Sequence, residues 1–333
     1  MTTTRWAVLG TGQIARTFLA ATADADGAQV VAVASTDPAR ARRFADEHHV
    51  AGAGTYDDVL ADPDVDAVYV ATVHTTHADL TIRALRAGKP VLCEKPLALD
   101  AAQTAAVLAA AEDAHLPVVE AYKYRFAPFA DALRTAITDG RIGAVRTVHA
   151  GFGFLSPTRT GRLFDPALAG GAVYDVGGYP VSFAVAVARW SGVPTDALAV
   201  TEADGRLVRC TGVDTHTRAV VAAPGFTAHV EAAITRPLSR AVRIEGEDGS
   251  IHAAQGWGSG RTSAAAFEIR TAGEVERVEV PVVDPFAAEA AALADAEAAG
   301  RTEAGRMPWG DSVATARLLD AWRTALTGRA GRR

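Results

Sequence analysis

Through its first 120 residues the chain alternates short, almost wholly apolar runs with longer runs in which apolar residues recur every three or four positions. The short runs are "RWAVLG", "QVVAVAS", "VDAVYVAT", "KPVLCE" and "LPVVEAY". The longer ones predict helices from about Ile14 to Ala23 and over "PARARRFADEH", "HADLTIRALRAG" and "DAAQTAAVLAAAEDAH". Strands that are apolar on both faces belong to a parallel sheet covered by helices on both sides. The alternation therefore predicts an α/β fold that begins with a doubly wound, Rossmann-type parallel sheet.

After Tyr122 the pattern changes. A helix is expected from about Phe129 to Thr138, then a strand over "AVRTVHAGFGF". "GGAVYDVGGYPV" leads into the apolar run "SFAVAVARW", read as a buried helix ending near Trp190. From Ala197 to Val280 strands dominate, alternating apolar and polar residues. That is the pattern of an antiparallel sheet with one face packed and one open. In "FTAHVEAAI", Phe226, Ala228, Val230 and Ala232 share one face, while Thr227, His229, Glu231 and Ala233 share the other. The second face is too apolar for full solvation, so a homo-oligomer built through this sheet is expected, a dimer or a tetramer. Two helices, about 285–299 and 311–326, close the chain. The expected division is a dinucleotide-binding domain over 1–121 and a substrate and oligomerisation domain over 122–333, the closing helices free to pack back on the first.

The chain has 333 residues, 49% hydrophobic and 22% charged, with a formal net charge of −6. An acidic balance argues against a nucleic-acid partner. Cys93 and Cys210 stand far apart and neither belongs to a CxxC pair, so neither a metal site nor a disulfide framework is expected. No run approaches the ~20 apolar residues of a membrane span. The N-terminus runs straight into a strand pattern, so no signal peptide is read and the cytoplasm is the expected compartment.

Three stretches carry chemistry. "VLGTGQIA" gives Gly10-x-Gly12-x-x-Ala15 between a strand and a helix. Gly10 makes the tight turn, Gly12 lets a pyrophosphate approach the backbone, and the N–H groups from Gln13 and Ile14 onward face the phosphates. The end of the second strand selects the cofactor. "VASTDPAR" puts Ser35 and Thr36 at the tip and Arg40 one helical turn on, which suits the 2′-phosphate of NADP(H). Asp37 would serve NAD(H) if the strand ended later; read as the N-cap before Pro38, it leaves NADP(H) favoured. "VLCEKPLAL" places Glu94, Lys95 and Pro96 at the carboxyl end of a parallel strand, where doubly wound sheets bind ligands.

These stretches, with "HADLTIRALRAGKPVLCEKPLAL", "EAYKYRFAP", "RIEGEDGSI" and "MPWGDSVATARLLDA", resemble the glucose-fructose oxidoreductase/inositol dehydrogenase/rhizopine-catabolism family of NAD(P)-dependent oxidoreductases. "RLFDPALAGGAVYDVGGYPVS" is similar to the branch containing dimeric dihydrodiol dehydrogenase and NADP-dependent xylose and glucose dehydrogenases. The resemblance implies hydride transfer at a hydroxyl or carbonyl carbon of a sugar, polyol or related diol, and sheet-to-sheet association. It implies that Lys95 polarises the reacting oxygen, that Tyr179 exchanges its proton, and that Asp175 accepts hydrogen bonds from substrate hydroxyls. A phenol of ordinary pKa is a poor base at neutral pH, and a lysine cation beside it favours the phenolate. Thr72, His74, His77 and Glu120 are implied on the cofactor side; Arg125 and Arg162 on the substrate side; Phe164 and Trp309 at the rim. The chain departs from the family's P-N-x-x-H loop, with Val73 for proline and His74 for asparagine.

Two other readings stand beside a dehydrogenase. "STDPAR" also resembles the cofactor loop of NADPH-dependent anhydrosugar reductases, and the family includes non-catalytic dinucleotide-binding regulators. Lys95, Asp175 and Tyr179 together argue against the regulator. His149, His216, His229 and His252 lie on expected strands without metal-ligand spacing and are read as structural.

Overall fold

A computed structural model describes residues 3–23, 25–257 and 265–330. The chain divides into two compact units: residues 1–98, 102–126 and 283–309 in the first, residues 99–101, 127–282 and 310–333 in the second.

The first unit opens β1 (Thr4–Leu9), α1 (Gln13–Ala23), β2 (Ala28–Ala34), α2 (Pro38–Glu47), β3 (Gly52–Gly54) and α3 (Tyr56–Leu60). It continues through β4 (Ala67–Val70), α4 (His77–Arg86), β5 (Val91–Glu94), α5 (Ala101–Ala114) and β6 (Val118–Ala121). Among the described residues the strands form a sheet of order β3-β2-β1-β4-β5-β6, parallel at every pairing. The order reverses at β1, so the carboxyl ends of β1 and β4 frame the crevice where such sheets take ligands. All four residues of β4, β5 and β6 are buried, which is why these strands carry no polar alternation. Residues 283–309 are distant in sequence yet belong to this unit.

The second unit runs through α6 (Pro128–Thr138), β7 (Val145–Gly153), a π-helical turn (Val173–Gly177) and α7 (Gly178–Trp190). Then come β8 (Ala199–Leu207), β9 (Asp214–Ala223), β10 (Phe226–Ala233), β11 (Val242–Gly246), β12 (Gly249–Ala253), β13 (Ala265–Thr271) and β14 (Glu274–Val280). Two helices end the chain, α8 (Pro285–Ala298) in the first unit and α9 (Trp309–Ala330), nearly all of it in the second. The strands form one sheet of order β14-β13-β12-β11-β7-β10-β9-β8. Among the described residues it is antiparallel except between β7 and β10, which run parallel. Alternation cannot reveal that exception, because it reports faces and not strand direction.

In β10 the face of Phe226, Ala228, Val230 and Ala232 is buried, and α7 packs against β7 and β10. Residues 178–188 are buried on every side, as a helix apolar all round requires. His229 is exposed and Glu231 half-buried on the opposite face. There His149 and His229 stack with ring centroids 4.9 Å apart and planes 10° from parallel. His216 meets the Glu231 carboxylate at 2.6 Å.

The glycines and proline of "GGAVYDVGGYPV" do not break the helix. Gly177 and Gly178 lie inside the continuous π- and α-helical stretch, and Pro180 follows within it, three residues after the π-helical turn. A Cβ on Gly177 would lie 3.2 Å from the Trp322 ring of α9, so the glycine admits that tryptophan. Gly171 adopts φ +127°, and a Cβ there would collide with the Asp214 carboxylate.

Candidate functional site

In the first unit the glycine loop has the shape its sequence demands. Gly10 sits at φ +117°, and a Cβ on it would lie 2.6 Å from the Ala71 carbonyl at the end of β4. Only glycine fits there. A Cβ on Gly12 would meet nothing within 4 Å, so the turn before α1 opens onto free space. Gln13 and Ile14 begin α1, whose first N–H groups have no partner within the helix.

At the end of β2, Arg40 donates from Nε and Nη2 to Ser35 Oγ, at 2.9 and 2.7 Å, and from Nη2 to Thr36 Oγ1 at 2.9 Å. Asp37 is the N-cap of α2, its carboxylate accepting from the Ala39 N–H at 2.9 Å. The cation and both hydroxyls thus cluster at the strand tip, while the carboxylate serves the helix.

Glu94 and Lys95 follow at the end of β5, with a cis peptide bond between Lys95 and Pro96. Glu94 Oε1 accepts from the Tyr69 hydroxyl at 2.7 Å and from Lys123 Nζ at 2.6 Å. Burial opposes the charge on Glu94. Lys123, Lys95 and Tyr69 outweigh it and hold the carboxyl below the usual range. Lys123 also lies 4.6 Å from the centroid of the Phe286 ring in α8.

Around Lys95 the backbone is tied on both sides. Glu120 Oε1 accepts from the Leu97 N–H at 2.9 Å. His77 Nδ1 lies 2.8 Å from the Pro96 carbonyl and Nε2 lies 3.3 Å from that of Thr72. The ring is fully buried, and burial lowers its pKa, so the neutral form is favoured. In that form the closer contact is the N–H donor, and His77 clamps the segment after Lys95 to the loop after β4. His74 is buried next to it in a 3₁₀ turn, ring centroids 5.7 Å apart. Arg125 is buried and donates to the Arg306 carbonyl at 3.1 Å, which makes it an anchor of the 123–126 turn. Trp309 donates from its indole N–H to the Val118 carbonyl at 3.1 Å.

In the second unit Asp175 lies in the π-helical turn and Tyr179 in the first turn of α7. Arg162 Nη1 donates to Asp175 Oδ1 at 2.8 Å. Tyr179 is buried among rings, edge-on to Phe152 at 5.0 Å and to Trp257 at 5.7 Å. Trp257 in turn donates to the Gly151 carbonyl at 3.1 Å. Phe164 is buried in the turn that follows Arg162.

Sequence reasoning missed Lys123, Glu289, Asp214, Phe152 and Trp257. Asp214 Oδ2 accepts from the Val173 N–H at 2.7 Å and so anchors the start of the turn carrying Asp175. Glu289 of α8 is fully buried, and neither carboxyl oxygen has a hydrogen-bond partner among the described residues. Burial pushes its pKa up to about 8, with Lys123 pulling the other way and Glu94 and Asp284 adding to the rise. "EAYKYRF" pointed to the right segment, but only packing against α8, over 150 residues away, distinguishes Lys123 from its neighbours.

A model of the oxidoreductase family with an NAD-binding Rossmann fold matches residues 4–122, and one of the GFO/IDH/MocA C-terminal domain matches residues 130–252. The chain belongs to the GFO/IDH/MocA oxidoreductase family. It is 36% identical over 327 residues to an NADP(+)-dependent D-xylose 1-dehydrogenase of Haloferax volcanii, covering 97% of this chain and 98% of that one. It is 35% identical over 251 residues to the human trans-1,2-dihydrobenzene-1,2-diol dehydrogenase, covering 74% of this chain and 73% of that one. A solved structure of KijD10, a 3-ketoreductase from Actinomadura kijaniata in complex with NADP and TDP-benzene, superposes with a TM-score of 0.86 at 28% identity, covering 98% of both chains.

This GFO/IDH/MocA oxidoreductase has the parts a dinucleotide needs. The open space over Gly12 leaves room for a pyrophosphate, and the Ser35–Thr36–Arg40 cluster offers a cation and hydroxyls to a ribose substituent. Among the described residues no group of three or more His, Cys, Asp or Glu is placed to hold a metal ion. Among them, too, no helix is long and apolar enough to cross a membrane.

Proposed function

We propose that this oxidoreductase transfers a hydride between NADP(H) and a hydroxyl or carbonyl carbon of a sugar, polyol or related diol. The observation that carries the cofactor choice is Arg40 resting on Ser35 and Thr36 while Asp37 caps α2. A carboxylate aimed at the ribose would repel a 2′-phosphate; a guanidinium with two hydroxyls binds it. The NADP-dependence in the name of the Haloferax relative supports the same choice. Gly10, Gly12, Gln13 and Ile14 would hold the pyrophosphate, and Thr72, His74, His77, Glu94 and Glu120 would shape the nicotinamide side.

When bound, the nicotinamide ring supplies or accepts the hydride. The chain's own residues handle the proton and the oxygen. Lys95 carries the cation that polarises the reacting oxygen. Tyr179 Oη donates or takes the proton, its ring held by Phe152 and Trp257. Asp175 accepts from a substrate hydroxyl. His77 and Glu120 act on Lys95 indirectly, through the backbone at Pro96 and Leu97. Carbonyl reduction is the second reading for the physiological direction, supported by the solved 3-ketoreductase that covers nearly the whole chain. The same sites serve both directions.

The open face of the eight-stranded sheet is the proposed homo-oligomer interface, as a dimer or tetramer in the cytoplasm. Its support is a groove of about 780 Å³ lined by His149, His229, Glu231, Arg218 and Leu238. Nicotinamide absorbance across a panel of aldoses, inositols and diols with both cofactors tests the activity. Cofactor binding without turnover would instead favour a regulator.

A further inference from the structure

Arg162 and Asp175 form a pair of unequal exposure. The Asp175 side chain is 9% exposed, that of Arg162 50%. Arg162 spends Nη1 on Asp175 Oδ1. No hydrogen bond from its Nε or Nη2 is found among the described residues.

The pair is built into the fold. A Cβ on Gly170 would lie 2.6 Å from the Arg162 carbonyl oxygen, so this glycine lets the loop's backbone close onto the start of the Asp175 turn. The Gly170 N–H donates to the Asp165 carbonyl at 2.9 Å and the Asp165 N–H to that of Arg162 at 3.4 Å. Asp165 Oδ1 accepts from the Ala167 N–H at 2.9 Å and fixes the next turn. On the other side, Asp214 holds the Val173 N–H, and the Asp175 N–H donates to the Gly171 carbonyl at 3.1 Å. "RLFDPALAGGAVYD" is thus one loop that brings a guanidinium to a carboxylate.

We infer that Arg162 and Asp175 together read a substrate hydroxyl on a carbon adjacent to the reacting one, making Arg162 a specificity-determining residue for vicinal diols and polyols over simple alcohols. A hydroxyl is donor and acceptor at once. Its hydrogen can go to an Asp175 lone pair while its oxygen takes an N–H from the outer arm of Arg162. A carbon bearing only hydrogen can do neither. A charged substituent fits worse: a carboxylate or phosphate would face Asp175 and an ammonium would face Arg162, whereas the pair itself is neutral. Tyr179 is four residues beyond Asp175, a spacing that brings side chains together on one helix face. If Tyr179 serves the reacting oxygen, Asp175 stands where the neighbouring oxygen falls. This inference rests on the roles proposed above for Asp175 and Tyr179.

The test is a cycle between a protein group and a substrate group. kcat/KM is measured for wild type, Arg162→Met and Arg162→Lys on matched substrates, cyclohexane-1,2-diol against cyclohexanol and xylose against 2-deoxyxylose. Wild type is expected to prefer the hydroxylated partner by roughly ten- to hundred-fold, the range of a charge-assisted hydrogen bond. In Arg162→Met that preference collapses toward unity through loss on the hydroxylated substrate alone, and Arg162→Lys restores part of it. NADP affinity, measured by direct titration, stays unchanged in both. Arg162→Met and Arg162→Lys losing equally on both members of each pair would overturn the inference and leave the proposed function standing. Absence of turnover by wild type on every alcohol, diol, sugar and carbonyl offered would overturn both.

Discussion

Arg40 lies across Ser35, with Nε and Nη2 donating to the same hydroxyl oxygen. The guanidinium is thereby positioned before any nucleotide arrives, so little of its freedom remains to be lost on binding. Replacing it by leucine should weaken NADP by about ten- to hundred-fold, the worth of a charge-assisted contact. NAD, which has no 2′-phosphate, should bind almost unchanged. Titration of both nucleotides against Arg40→Leu checks this, and equal losses would make Arg40 a structural residue of the strand tip.

Lys95 and Tyr179 are expected to fail in different ways. Lys95→Met should cut kcat by about 10²- to 10⁴-fold while leaving the dissociation constant of NADP nearly unchanged. Tyr179→Phe should lower kcat and remove one limb of the pH–rate profile. Phe152 and Trp257 hold the Tyr179 ring, so a Phe152→Ala variant should lower kcat while retaining that limb. A Lys95→Met enzyme with near-normal kcat would refute the assignment.

Much of this was legible in the sequence, and the reasons differ by element. The parallel strands declared themselves because β4, β5 and β6 are buried throughout and, apart from Glu94 and Glu120 near the carboxyl ends of β5 and β6, carry no charged residues to interrupt the apolar run. The two faces of β10 were readable from a period of two. The short β3 and α3, over Gly52–Gly54 and Tyr56–Leu60, were missed because three and five residues hold too little periodicity to register. In "GGAVYDVGGYPV" the glycines and the proline weigh against helix locally, and nothing in the stretch itself says what they make room for. Here Trp322, Asp214 and the Arg162 carbonyl occupy space that side chains would take, and such neighbours are invisible in one dimension. The same holds for Asp214 and Glu289, single acidic residues in strand and helix patterns, whose burial is decided by tertiary packing.

Glu289 gives the protein a pH dependence of definite sign. Its carboxyl is raised from the ordinary range to about 8 by burial. Between those limits the native state keeps a proton that the unfolded chain has released, so stability falls as pH rises, by up to ~1.4 kcal/mol per unit. The penalty is absent below the unfolded value and complete above the folded one. Glu289→Gln should flatten the stability curve relative to wild type between about pH 5 and 8. Denaturant melts across that range give the comparison, and parallel curves would show that Glu289 is ionised in the native state.

Gly171 and Gly161 form a matched pair for backbone strain. Both have positive φ, +127° and +79°, but only at Gly171 does a neighbour, the Asp214 carboxylate, fill the space of a Cβ. Gly161, at ψ −169°, lies in a region that only glycine adopts readily, and Gly161→Ala should cost about 1–3 kcal/mol from conformation alone. Gly171→Ala should cost more, and it should also lower kcat by displacing the turn that carries Asp175. Thermal melts and single-turnover rates on the two variants separate the effects, and equal behaviour would argue against Asp214 as the anchor of that turn.

Hydride transfer from a polyhydroxylated substrate to NADP is the proposed reaction. Its most direct measurement follows nicotinamide absorbance for wild type and Lys95→Met with NADP and with NAD across aldoses, inositols and cyclic diols. Reduction of NADP by at least one member of the panel is expected, with a lower rate with NAD and loss of the signal in Lys95→Met despite intact NADP binding. Cofactor binding with no absorbance change in either direction, oxidation of NADPH by the matching carbonyl compounds included, would contradict it.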